Sequence, residues 1–100
     1  MQSVYIARAF CLVTVDNAHY SEGMRGAYVN IVCNGDSILS AVAKVSGDLL
    51  KASLKVEGFD FIFPQQFMDR ALTVYEEQLL SKLEKEDTLY DTIHYFPADD

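Results

Sequence analysis

Residues 3–15 (SVYIARAFCLVTV) are apolar on both alternating parities: Val4, Ile6, Phe10 and Leu12 on one, Tyr5, Ala7, Cys11, Val13 and Val15 on the other. Such a strand is covered on both sides or wrapped by a partner. Residues 16–26 are polar and contain Gly23 and Gly26, which predicts a loop. Residues 27–33 (AYVNIVC) return to strand composition, and Asn34-Gly35-Asp36-Ser37 stops them. Asp36 or Ser37 is placed to accept the free N–H groups of a helix over 37–50. In that helix Ile38, Val42, Val45 and Leu49 recur at spacings of four, three and four, one helical face.

Between Ala52 and Phe63 the apolar residues occupy even positions before Gly58 and odd positions after it. A continuous strand would flip its apolar face halfway along. A hairpin with Glu57-Gly58 as a two-residue turn removes the conflict, pairing Val56 with Phe59, Leu54 with Phe61 and Ala52 with Phe63 on one face. Lys55 then meets Asp60 on the other. The alternative is one long strand bulged at Gly58. Pro64 opens a second helix over 65–86, with Met68, Leu72, Tyr75, Leu79 and Leu83 as its stripe. Residues 92–96 (TIHYF) form a short last strand, and 97–100 a frayed tail.

The order over 27–96 is then β-α-β-β-α-β. That is the ferredoxin-like split β-α-β arrangement, an α+β two-layer sandwich with both helices on one face of an antiparallel sheet. It follows from element order, not from a family motif. Residues 1–15 add an extra N-terminal strand, which extends an edge or pairs with 27–33 and displaces the last strand. The core would hold the helical stripes with Val56, Phe59, Phe61 and Phe63. The other sheet face would show Tyr28, Asn30, Val32, Ile62 and part of the first strand. That surface is apolar enough to predict a partner or a second copy of the chain upon it.

Composition narrows the function classes. One hundred residues, half of them apolar, predict one domain (1–100) with its own core. No apolar run approaches the ~20 residues of a membrane span, and no signal peptide is expected. Two cysteines predict no disulfide scaffold, so a cytoplasmic location is the expectation. The net charge is −7, concentrated in the second half. It disfavours nucleic acid and acidic membranes and favours a basic protein partner.

No residue pattern points to catalysis or a cofactor. His19, His94, Cys11 and Cys33 match no zinc spacing. The turn at 34–37 reads as a helix cap: it has one glycine, no basic residue, and an aspartate that repels phosphate. Without an arginine it also lacks the means for acyl-phosphate chemistry, a point of fold analogy. Glu76, Glu77 and Glu84 read as a solvated acidic helix face. His19, Tyr20, Met24 and Arg25 make loop 16–26 a candidate contact. Together with Tyr28 and Ile62 on the open sheet face, these residues form the expected partner-binding set. The leading expectation is a small acidic interaction module without catalysis, of inhibitor or immunity type. Homodimerisation would use the open sheet face or an edge strand. The alternative is a dimeric ligand-sensing regulatory domain, and an enzyme would need a pocket joining His19 or His94 to a carboxylate.

Overall fold

The structure is a computed structural model that describes residues 3–83 and 88–98, without the side chains of residues 89, 91 and 92. Four strands alternate with two helices: β1 (Ser3–Val13), β2 (Met24–Gly35), α1 (Ile38–Lys51), β3 (Leu54–Pro64), α2 (Val74–Lys82) and β4 (Thr88–Pro97). Short 3-10 turns cover Ala18–Glu22 and Gln65–Phe67. The sheet order is β3-β1-β2-β4, and each neighbouring pair is antiparallel.

β1 is central because both of its faces are apolar. Tyr5, Ala7, Ala9, Cys11 and Val13 join Ala27, Val29, Ile31 and Cys33 of β2 beneath Ala41, Val45 and Leu49 of α1. Ile6 points the other way, into a second cluster with Val32, Leu79, Leu83 and the half-buried Val4, Phe61 and Phe63. Successive strand residues face opposite sides. The two clusters, and with them α1 and α2, therefore lie on opposite faces of the sheet.

Two strands are longer than expected, β2 starting at Met24 inside the expected loop 16–26 and β4 at Thr88 before residue 92, and three larger expectations change. First, the chain runs straight from Leu54 to Pro64 with no hairpin at 57–58. A two-residue hairpin turn needs a positive φ, and among the described glycines only Gly23 has one. Instead β3 carries two bulges. Val56 and Gly58 oppose Cys11 and Phe10, and Phe59 and Phe61 oppose Ala9 and Arg8, leaving Glu57 and Asp60 unmatched. Each extra residue reverses parity. Val56, Phe59 and Ile62 thus share the α1 side, while Phe61 and Phe63 face α2.

Second, the ferredoxin-like order fails with that hairpin. The β1 strand, taken as an addition, occupies the middle of the sheet, and the helices do not share a face. Ile62 and Val32, expected on an open surface, pack in the α1-side and α2-side clusters respectively. Third, the second helix starts at Val74, not at residue 65. Thr73 and Glu76 form a reciprocal capping box, which fixes the start there. Residues 68–73 approach as an irregular segment, yet Met68 and Leu72 still pack on the α2-side cluster. Residues 84–86, the predicted end of this helix, lie outside the described residues.

Candidate functional site: the uncovered half of the sheet

The segment from Met68 through α2 shields only one end of its sheet face, over Val4, Ile6, Val32, Phe61 and Phe63. Beyond that end the same face continues. β1 contributes Arg8, Phe10 and Leu12, and β2 contributes Asn30, Tyr28 and Gly26 directly opposite them. His94 and Phe96 of β4 stand opposite Tyr28 and Gly26, and Lys55 of β3 stands opposite Leu12.

Three rings cluster on this surface. Phe10 lies 5.5 Å from Tyr28 and 5.9 Å from Phe96, and Tyr28 lies 5.5 Å from Phe96, centroid to centroid. All three are half-buried, and Leu12 beside them is 38% exposed. Gly26 makes the arrangement possible, since a Cβ there would come within 2.3 Å of the Phe96 ring. The Arg8 guanidinium stacks over Tyr28 at 4.7 Å, with its Nε 3.5 Å from Asp60. An apolar groove of about 230 Å³ follows Phe10, Leu12, Arg25, Gly26, Phe96 and Ala98. A cleft of about 390 Å³ opens toward α2, between Arg8, Asn30 and Phe61 on the sheet and Arg70, Thr73 and Tyr75 above it.

Behind the cleft Arg70 donates to both carboxylate oxygens of the buried Glu76, at 2.9 and 2.8 Å. This hydrogen bonding holds the Glu76 carboxyl below its ordinary range against the opposing effect of burial. Glu76 also accepts from the Thr73 backbone N–H at 2.9 Å. Its valences are therefore filled by structure, so it is unavailable to a partner.

The predicted site residues fall into separate places. Tyr28 is on the uncovered face. Arg25 edges the groove, but its guanidinium donates to the Tyr20 and Met24 carbonyls and lies 3.6 Å from the Tyr20 ring. Tyr20 and Met24 pack on the α1-side core. His19 hydrogen-bonds Glu22 and lies against Tyr95 on the connection between β1 and β2. Glu77 is exposed on the first turn of α2, and Glu84 lies outside the described residues. Sequence reasoning missed Arg8, Phe10 and Phe96. The two-sided pattern of residues 3–13 was the available signal for the first two, once that strand is placed at the centre.

Cys11 and Cys33 are fully buried, and burial pushes each thiol up to about 11. They behave as small apolar groups. Among the described residues no His, Cys, Asp or Glu group is arranged to hold a metal ion, and no helix is long and apolar enough to cross a membrane. Comparison with family models, curated proteins and solved structures found no match.

Proposed function

We propose that this chain is a non-catalytic interaction module that binds a partner protein through the uncovered half of its sheet. The observation that carries the reading is the contiguous Phe10, Leu12, Tyr28 and Phe96 surface, which α2 leaves open although it covers the rest of that face. Aromatic side chains at the centre of a contact contribute most of its energy, and the groove beside Phe96 has room for one apolar anchor. A net charge of −7 steers a partner that is basic overall, with the strength of that steering set by ionic strength. A small inhibitor or immunity-type role fits this combination.

The test compares capture from lysate by the native chain and by Phe10→Asp, at low and high salt. A protein retained by the native chain, lost by the variant and weakened by salt supports the reading. Identical retention by both chains overturns it.

The cleft between Arg8 and Tyr75 favours a second reading, a ligand-sensing domain working as a homodimer. Light scattering that finds a monomer, together with a metabolite screen that leaves the thermal midpoint unmoved, removes it.

A further inference from the structure

We propose that the Phe10–Tyr28–Phe96 surface also binds single-stranded nucleic acid. The inference goes beyond the protein-partner reading while using the same face. Nucleobases stack on aromatic rings carried by an open sheet, and flanking cations hold the backbone. Here the three rings sit on adjacent strands β1, β2 and β4, within 6 Å of one another. Four of the eight Lys and Arg residues surround them: Arg8 over Tyr28, Arg25 along the groove, Lys55 opposite Leu12, and Arg70 across the cleft.

The negative total charge opposes such a ligand, and the rings with the cations beside them must offset it. Asp60 and Glu76 at this face each contact an arginine, and the exposed Asp69 and Glu77 stand on the segment that covers the other end of the same side. Asp48 lies on α1 across the sheet, and Glu22 lies in the connection between β1 and β2. At physiological salt a charge is felt over about 8 Å, so the cations beside the rings act on a bound strand more strongly than acids on the far side of the sheet. The remaining repulsion limits affinity to the micromolar range on the scale of non-specific binders. The platform spans three strands, about 10 Å, which is room for two or three bases. Stacking on the rings is open to DNA and RNA bases alike.

The experiment is fluorescence anisotropy of labelled oligo(dT) and oligo(rU), each about twelve nucleotides, with the full chain at about 50 and 200 mM salt. Both should bind, less tightly at the higher salt. Phe10→Ala and Tyr28→Ala should each weaken binding about fivefold or more, since each removes a stacking ring. Arg8→Gln should weaken it and flatten its salt dependence. Lys51→Ala, at the exposed end of α1, should leave it unchanged. Thermal melts establish that each variant is folded, with Phe96→Ala replacing any that is not.

No anisotropy change with either oligonucleotide at about 100 μM protein, well into the weak non-specific range, overturns the proposal. So does binding that persists unaltered in the ring variants. If oligonucleotides fail while capture of a protein still depends on Phe10, this inference falls and the protein-partner reading stands.

Discussion

Ser53 joins α1 to β3 with φ 62°, a left-handed conformation among the described residues that only it adopts without being glycine. Its N–H donates to the Leu50 carbonyl at 2.9 Å, and its own carbonyl accepts from the Thr14 backbone at 3.2 Å, so the conformation is held from both sides. A side chain there costs about 1 kcal/mol, and glycine removes that cost while adding about 0.5 kcal/mol of unfolded-state entropy. Ser53→Gly should therefore stabilise the domain by about 0.5 kcal/mol, raising the melting midpoint by roughly 3 °C. An unchanged or lower midpoint would show that the left-handed strain is absent. Glu76 sets a second residue-level expectation. Its folded pKa lies below the unfolded value because Arg70 hydrogen-bonds the carboxylate, so the unfolded state takes up the proton more readily. The stabilisation is then fully present above the unfolded pKa of about 4.3 and is lost as pH falls toward the lower folded value. Glu76→Gln should cost about 2 kcal/mol at neutral pH and make acid unfolding less steep, as followed by denaturant titration at several pH values.

At the scale of elements, what the sequence disclosed and what it hid have separate causes. Helix α1 was legible because cap and period agree: Ser37 accepts from the Ser40 N–H at 3.1 Å, and Val45 and Leu49 are buried as predicted. Its first turn was not, since Ile38 is exposed and Ala41 takes the inner position. The parity break at Gly58 was visible too, but parity alone does not separate a turn from a bulge. Only the neighbouring strand decides, and β1 supplies it. The same uncertainty hid the candidate site, because Phe10 and Phe96 become neighbours only when β1 and β4 flank β2. The start of α2 was written in Thr73-Val74-Tyr75-Glu76, a capping signal overridden by a longer apolar period. Ile62 separates the two accounts of β3. Packed on the α1-side core, Ile62→Asp should destabilise the fold by about 2 kcal/mol or more, whereas an outward residue would leave chemical denaturation unchanged. Gly26→Ala tests the ring platform. The added methyl should displace Phe96, a flexible side chain, reducing binding at the open face while the far-ultraviolet spectrum stays native.

For the whole molecule, the decisive fact is which strand holds the sheet together. β1 bonds to β2 along Ser3–Leu12 and to β3 along Tyr5–Val13, so its removal leaves β3 without a partner in the sheet. It also supplies Tyr5, Ala7, Ala9, Cys11 and Val13 to one core and Ile6 to the other, so that, like β2, it belongs to both clusters. A peripheral strand could be deleted at the cost of its own contacts. A central one takes with it the ladder that buries its neighbours, and β2 with β4 would remain as a two-stranded ribbon, marginal at best in water. A chain beginning at Asp16 should therefore show no cooperative thermal or denaturant transition, although it retains both helices and the entire segment first read as a β-α-β-β-α-β core. Circular dichroism and the dispersion of amide proton resonances check this directly. A truncated chain that melted cooperatively would place the first strand at an edge, and it would remove Arg8 and Phe10 from the surface on which both binding proposals depend.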